Sequence, residues 1–121
     1  MNGIEIIDYN GEGYEPAVRF EAWRAAYLRY ADCYDNITQL ERHNLTDEVF
    51  MLLEGEATLI IGKEMREVPM EKHKIYNVKK GIYHNIRVSR DAKVFIVEND
   101  NTARENSDYI SVAELKKIKL G

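Results

Sequence analysis

The middle of the chain is a succession of short segments rich in β-branched and aromatic residues, and this pattern restricts the fold more than any other feature. Glycine marks several of the breaks between them, as at Glu54-Gly55 and Lys80-Gly81. Such breaks favour tight turns, because glycine tolerates backbone angles that other residues avoid. Strands this short and this closely spaced predict an all-β antiparallel sandwich or barrel. The predicted strands are Ile37–His43, Glu48–Leu53, Ala57–Ile61, Met65–Pro69, Ile75–Val78, Tyr83–Val88 and Lys93–Glu98.

The residues before this region form an N-terminal extension with a weaker pattern. Ile4–Ile7 predicts a short edge strand that leads into a glycine-containing loop. Residues 19–31 are compatible with two structures. Their Ala, Arg, Leu and Glu content favours a helix, whereas the alternation around Trp23, Ala25 and Tyr27 is typical of a strand. We favour the strand, because the segments that follow it are strands.

The C-terminal residues suggest a loop and then a helix. Residues 99–108 are mostly polar and predict a loop. Ser111 followed three residues later by Glu114 is a capping-box pattern, in which each side chain satisfies a backbone amide at the start of a helix. The sequence therefore predicts a short helix over Val112–Lys119.

Length and composition narrow the functional classes. The chain has 121 residues, enough for one domain with a substantial core, and 45% of them are hydrophobic. A net charge of −4 with both signs scattered argues against nucleic acid or an anionic membrane as a partner. We see no leader peptide and no apolar run long enough to span a membrane. Cys33 is the single cysteine, which excludes an internal disulfide and fits a reducing cytoplasm.

Three side chains suited to metal binding lie at predicted strand ends. His43 stands just before the turn that follows the first central strand, and Glu48 stands just after it. A hairpin there brings an imidazole and a carboxylate to one end of a sheet. His84 follows the Lys80-Gly81 turn in a similar position. Nitrogen and oxygen donors that converge from separate strands can hold a divalent metal, so His43, Glu48 and His84 form a candidate metal site.

The two-residue period of a strand indicates which neighbours share a face with these donors. Gln39 and Glu41 lie on the same face of their strand as His43. The residues that follow Glu48 and His84 on their faces are apolar. If these faces are interior, the donors lie above an apolar floor. That floor would be Phe50, Leu52, Ile86 and Val88.

The spacing of the donors resembles the two sequence motifs of the cupins. Four residues separate His43 from Glu48 and six separate Glu48 from Gly55, as in the second half of the first motif. Gly81 and His84 match the G-x-x-H centre of the second motif. The chain thus resembles a small single-domain bacterial cupin of the cupin-2, RmlC-like type. The resemblance implies a double-stranded β-helix, or jelly roll, over residues 1–121 with its core at about residues 37–98, and it implies a homodimer.

The same resemblance implies that His43, Glu48 and His84 bind a divalent metal inside the barrel, with Zn, Ni, Fe and Mn all open. The chain departs from the family at three positions: Glu41 replaces the first histidine of the H-x-H pair, Lys79 replaces a proline, and Val88 replaces an asparagine. Glu41 would then occupy the fourth ligand position. It could bind the metal, act as a general base, pair with a basic group or point away. With Glu41 bound, two histidines and two carboxylates would leave a divalent site neutral, and such a site attracts anions only weakly.

Two functions remain open at this level. In the first, the protein is a metal-dependent isomerase, lyase or oxygenase that acts on a small polar metabolite. In the second, it is a small-molecule-binding protein without catalysis, or a vestigial barrel without metal. In either case we expect Gln39, Tyr27 and Tyr83 to line the pocket, because tyrosine combines an apolar ring with a hydroxyl. His73 lies in a turn and is expected to be exposed.

Overall fold

The structure is a computed structural model that describes residues 3–120, and it consists of ten strands and one α-helix. Two short 3₁₀ turns, at Asp32–Tyr34 and Arg104–Asn106, interrupt the connections. The strands are β1 Tyr14–Phe20, β2 Trp23–Arg29, β3 Gln39–His43, β4 Glu48–Glu54, β5 Ala57–Ile61, β6 Arg66–Pro69, β7 Tyr76–Val78, β8 His84–Val88, β9 Lys93–Asn99 and β10 Ser107–Ser111, and the helix α1 is Val112–Leu120.

The strands form two antiparallel sheets of five strands each. One sheet has the order β1-β2-β9-β4-β7, and the other has the order β10-β3-β8-β5-β6. Neighbours in space are mostly distant in sequence, so the chain crosses repeatedly from one sheet to the other. This is the jelly-roll architecture, and the all-β prediction is confirmed.

A continuous apolar core joins the inner faces of the two sheets. The alternation of buried and partly exposed residues along β4, β8 and β9 places every second side chain in it. A second, smaller cluster lies on the outer face of the sheet that contains β3 and β5, where Leu115 of α1 covers Leu40 and Ile60. The helix therefore protects one sheet from solvent and leaves the space between the sheets to the strands.

Most sequence predictions of secondary structure are confirmed. All seven central strands are present, with ends within two residues of those predicted. For residues 19–31 the preference for strand over helix is confirmed, but the single strand is wrong: the segment contains the end of β1, a turn at residues 21–22, and β2. The hydroxyl oxygen of Ser111 lies 3.2 Å from the amide nitrogen of Glu114 and caps α1 as expected.

Two predictions at the flanks are wrong. Ile4–Ile7 forms no strand, because the edge position is occupied by Tyr14–Phe20, and Ile6 is 77% exposed. The loop predicted at residues 99–108 extends too far toward the C-terminus. Ser107–Ser111 forms β10 and pairs along its full length with β3. An edge strand needs few apolar side chains when backbone hydrogen bonds and one neighbour hold it, so its sequence carries little signal.

Gly55, the glycine of the first motif, has a structural reason for its identity. Its φ is +75°, in the left-handed region that residues with a Cβ atom rarely adopt. A Cβ atom at this position would lie 2.7 Å from the Cα atom of Ala92. The turn between β4 and β5 thus packs directly against backbone that precedes β9. Among residues 3–120, no helix has the length and apolar character needed to cross a membrane.

Candidate metal centre

Four titratable side chains meet at one end of the space between the sheets. His43 ends β3, Glu48 begins β4, His84 begins β8, and Glu98 lies near the end of β9. All four are buried, with exposed fractions of 8%, 6%, 3% and 6% in that order. Because the strands alternate in direction, these termini fall at the same end of the barrel. The inward residues deeper along β4, β8 and β9 are apolar.

The two histidine rings converge on a single carboxylate oxygen. The Nε2 atom of His84 lies 2.9 Å from Oε1 of Glu48, and the Nε2 atom of His43 lies 3.1 Å from the same oxygen. The ring centroids are 5.4 Å apart and the rings are close to perpendicular. Three buried donors from three strands are therefore directed at one point.

The opposite ring nitrogens identify the tautomer of each histidine. Nδ1 of His84 lies 2.9 Å from the carbonyl oxygen of Ile82, which can only accept a hydrogen bond. Nδ1 of His43 lies 3.0 Å from the hydroxyl oxygen of Ser107, and this hydroxyl donates to the carbonyl of Ala103 at 2.8 Å. Both Nδ1 atoms therefore carry a proton, so in a neutral ring Nε2 presents a lone pair to Glu48, and in a charged ring Nε2 donates to it.

Lone pairs that face a carboxylate oxygen at hydrogen-bond distance require a positive species between them. That species is either a proton on each Nε2 atom or a metal cation near the three donors. Histidine ligands in metal sites characteristically donate their second ring N–H to a carbonyl or a polar group, which holds the ring in place. Ile82 and Ser107 provide this second contact here.

Burial and hydrogen bonding act in opposite directions on the pKa values of this cluster. Burial alone would raise the pKa of Glu48, but hydrogen bonds from His43 and His84 outweigh it and hold that pKa far below its ordinary value. Burial likewise would lower the pKa of His43 and of His84, but the hydrogen bond and charge of Glu48 raise both. Without metal, the buried carboxylate and the two imidazoles thus stabilise each other in their charged forms.

Glu41 lies at the rim of this cluster. Its Oε1 atom is 3.8 Å from Nε2 of His43, and its side chain is 36% exposed. Burial raises the pKa of Glu41, and the nearby Glu48 adds to that effect while the charge of His43 opposes it. Glu41 therefore faces the interior, beside the histidines, but in the part of the chain that the structure describes no buried hydrogen-bond partner holds its carboxylate in one orientation.

Glu98 belongs to the cluster and was not identified from the sequence. Its Oε1 atom accepts hydrogen bonds from the hydroxyl of Tyr14 and from Nη2 of Arg24, both at 2.7 Å. Its Oε2 atom is buried, has no hydrogen-bond partner within residues 3–120, and lies 3.9 Å from Nε2 of His43. The available signal was the inward face of the predicted last strand, on which Glu98 follows Val94 and Ile96.

The charges of the cluster suit a divalent cation. Glu41, Glu48 and Glu98 contribute three carboxylates, and Arg24 and Arg104 contribute two guanidinium groups, so with neutral histidines and ionised carboxylates one negative charge is uncompensated. Two overlapping sets of donor atoms lie within 4.8 Å of one another. The first consists of Glu41, His43 and His84, and the second of His43, Glu48 and Glu98. Imidazole nitrogen and carboxylate oxygen are donors that Zn, Fe, Mn and Ni accept.

A cavity of about 260 Å³ opens onto these donors. Three tyrosines line it, together with Arg24, Arg104 and several apolar side chains of the core. The exposed Arg104 stacks over the Tyr109 ring, with 4.8 Å between the guanidinium carbon and the ring centroid. The tyrosines are Tyr14, Tyr34 and Tyr109.

The three side chains expected from the sequence to line the pocket lie elsewhere, and that part of the prediction is corrected. Tyr27 lies on the outer face of its sheet, because it alternates with the core residues Ala26 and Leu28. Tyr83 precedes His84 and therefore packs on the opposite side, in the smaller cluster under α1. Gln39 is exposed at the start of β3. Tyr27 and Tyr83 are thus outside the pocket because adjacent residues of a strand point to opposite faces, and Gln39 is outside it because it lies at the far end of β3 from His43.

Comparison with known proteins identifies the fold. No protein-family model and no characterised protein sequence matches this chain. Among solved structures, a cupin-2 domain protein from Shewanella frigidimarina is 17% identical, with a TM-score of 0.60 over 75% of this chain and 84% of that chain. The Streptomyces nucleoside dehydratase Pac13 is 7% identical, with a TM-score of 0.65 over 85% and 82%.

Another solved structure of similar fold is that of an Fe(II) protein. HppE in its Fe(II) form is 15% identical, with a TM-score of 0.57 over 80% of this chain and 61% of that chain. Identities this low establish a shared fold and leave the reaction open. This chain is therefore a protein of the cupin fold, with a histidine–carboxylate cluster at one end of its barrel.

Proposed function

We propose that the protein binds one divalent metal through His43, Glu48 and His84 and acts on a small polar molecule in the adjoining cavity. One observation carries the proposal: two buried Nε2 atoms, with Nδ1 of each ring already donating, point at the same oxygen of Glu48. A metal bound there would polarise an oxygen of the substrate or lower the pKa of a bound water.

The side chains around the centre suit proton transfer and polar recognition. Glu41 lies at the rim, and because burial raises its pKa, its carboxyl group is suited to exchange a proton with a bound molecule. Arg104 and Tyr109 at the mouth offer a cation and a hydroxyl. A cavity of about 260 Å³ limits the substrate to a small metabolite. Fe(II) in HppE and nucleoside dehydration by Pac13 support metal binding and lyase chemistry as options on this fold.

The donor set narrows the choice of metal. The cluster offers nitrogen and oxygen and no sulfur, since Cys33 is exposed and outside it. Mixed imidazole and carboxylate donors are compatible with Zn, Fe, Mn and Ni, and they disfavour metals that prefer thiolate. Elemental analysis of protein purified without an affinity tag or chelator identifies the metal.

The test compares metal content in three proteins. We expect about one metal ion per chain in the wild type and almost none in the His43→Ala, His84→Ala double variant. His73→Asn is the matched control, because it removes the remaining histidine, which is exposed and has a φ of +68° that asparagine tolerates. Equal metal content in the wild type and the double variant would refute the proposal.

The alternative is a metal-free cavity that only binds a small molecule. The hydrogen-bond lengths between Glu48 and the two Nε2 atoms favour it specifically, because protonated histidines would form direct ion pairs with that carboxylate. In that case wild-type protein contains no stoichiometric metal after purification from metal-supplemented cells. Added divalent ions would also leave its thermal midpoint unchanged.

We propose in addition that the protein is a homodimer in a reducing cytoplasm. Phe20 and Trp23 are 59% and 43% exposed on the β1–β2 hairpin, at the edge of one sheet, and their ring centroids are 6.2 Å apart. Exposed edge strands with apolar side chains are commonly covered by pairing. Light scattering is expected to report twice the chain mass of 14.1 kDa. A monomer mass at micromolar concentration would contradict this.

A further inference from the structure

Glu98 is a buried carboxylate of the cluster that is anchored from outside the histidine pair, although no cupin-like motif in the sequence includes it. Tyr14 of β1 and Arg24 of β2 both donate to its Oε1 atom. Arg24 also donates through Nε to the hydroxyl oxygen of Tyr14, at 3.0 Å, so that hydroxyl is free to give its proton to Glu98. One oxygen of Glu98 is thus held by two donors, which orients the whole carboxylate.

The second oxygen of Glu98 has no partner among the residues that the structure describes. Oε2 is buried and faces the histidine pair, 3.9 Å from Nε2 of His43. A buried carboxylate oxygen without a hydrogen bond or ion is costly, and native proteins rarely retain one without a reason. A cation at the point where His43 and Glu48 converge would satisfy it.

We propose that Glu98 is a ligand of this centre, and that Tyr14 and Arg24 are the residues that position it. The inference rests on the proposed metal site and adds a ligand to it. Glu98 then takes the role of fourth ligand, which the resemblance to cupins assigned to Glu41. Glu41 remains available to the substrate, since it lies at the rim, is 36% exposed and has no comparable anchor among the described residues.

A purely structural role for Glu98 is the competing explanation. Arg24 and Glu98 are directly paired across β2 and β9, and their side chains form a largely buried ion pair. If that pair only stabilises the sheet, loss of the Glu98 charge lowers stability and leaves metal affinity unchanged. If Glu98 is a ligand, metal affinity and the electronic spectrum of the bound metal both change.

The experiment measures Zn²⁺ affinity, by competition with a chromophoric chelator, and the visible spectrum of the Co²⁺-loaded protein. The variants are Glu98→Gln, Glu41→Gln and Tyr14→Phe, with His43→Ala as the reference for loss of a ligand. We expect Glu98→Gln to lower Zn²⁺ affinity by about 100-fold and to alter the Co²⁺ spectrum. Tyr14→Phe should lower affinity by about 10-fold, the lower end of what removal of an outer-shell partner costs. Glu41→Gln should change affinity by less than about threefold, because it removes no inner ligand.

The outcomes separate this inference from the proposed function. Unchanged Zn²⁺ affinity in His43→Ala would refute the metal site itself. Reduced affinity in His43→Ala together with wild-type affinity and an unchanged Co²⁺ spectrum in Glu98→Gln would refute the role of Glu98 alone. If Glu98→Gln does not fold, as judged by circular dichroism, Glu98→Asp replaces it. Aspartate keeps the charge beside Arg24 and shortens the reach to the centre, so wild-type affinity in Glu98→Asp, with an unchanged Co²⁺ spectrum, would also overturn the inference.

Discussion

The two halves of the barrel interior are made by the same strands but by opposite kinds of side chain. Along the inward face of β4, Glu48 is followed by Phe50 and Leu52, and β8 changes from polar to apolar in the same direction. β9 runs the opposite way and changes from apolar to polar at Glu98. At one end the buried groups are imidazoles and carboxylates. At the other end they are aliphatic and aromatic. On β4, β8 and β9, one inward polar residue at the strand end therefore marks the boundary between the candidate site and the hydrophobic core.

This difference indicates how the fold tolerates a buried charged cluster. The apolar half supplies the favourable free energy of burial, which for a fully buried Leu or Ile is about 1.5–3 kcal/mol. The polar half supplies little of this, because each buried charge must be balanced by a partner. Arg24 balances Glu98, and the histidines balance Glu48. The apolar half should thus govern stability, and the polar half should govern ligand binding and the response to pH.

The largest expected effect is in the apolar half. Leu52 is 1% exposed and belongs to the core between the sheets, so Leu52→Ala should lower the free energy of unfolding by about 2–5 kcal/mol through lost burial and the cavity left behind. Chemical denaturation of the metal-free protein measures it. Metal stoichiometry of the folded variant should equal that of the wild type. A loss below about 1 kcal/mol would contradict the assignment of this half as the source of stability.

The second effect is a pH dependence that belongs to the polar half. The folded-state pKa values of His43 and His84 are raised above the ordinary 6.5, so their contribution to stability is present below that value and is lost as pH rises through the folded pKa values. Burial also raises the pKa of Glu98 above 4.5, so its contribution to stability is likewise lost as pH rises from 4.5 through the folded-state value. Metal-free protein should therefore lose stability as pH rises above about 6.5 and through the raised folded-state pKa values of the two histidines.

Denaturation of metal-free and metal-saturated protein across this range measures that dependence. Saturating metal should reduce or reverse the loss, because metal binds the deprotonated histidines. The His43→Ala, His84→Ala variant, also without metal, is the control and should show a weaker dependence. Metal-free wild type whose stability rises with pH over this range would show that the histidines are not stabilised as cations.

The smallest expected effect concerns the turn that leads to His84. Asp47 accepts hydrogen bonds from the backbone of Lys80 and from the side chain of Asn77, and both lower its pKa. Its contribution to stability is present above the ordinary pKa of 3.8 and is lost as pH falls through the lower folded value. Asp47→Ala should reduce the thermal midpoint slightly at neutral pH. The difference should narrow in acid, and a constant difference would argue against the ionised carboxylate as its cause.

The sequence allowed prediction of most of the fold, because turn residues and a two-residue period identify strands locally. It also brought His43, Glu48, His84 and Glu41 together, since each stands at a strand end and shares a face with its neighbours. Glu98 was missed although its strand was predicted. Its importance depends on Arg24, which lies opposite it only because β2 pairs with β9 in a specific register. Pairing between strands so distant in the chain leaves no local pattern.

The wrong predictions of pocket residues also arise from features that a local sequence pattern does not show. Tyr27 and Tyr83 are adjacent in sequence to inward residues, and a shift of one residue places a side chain on the opposite face. Tyr14 and Tyr34 reach the cavity from the N-terminal extension. Their position depends on how that extension crosses the barrel, and the resemblance to known motifs did not cover that part of the chain.

The most direct test of the central claim is an anomalous difference map from crystals grown with a divalent metal and measured at that metal's absorption edge. The proposed function predicts one peak per chain, in contact with Nε2 of His43, Nε2 of His84 and a carboxylate oxygen of Glu48. A peak only at surface carboxylates, or a water molecule or nothing at this position with metal present in excess, would contradict it.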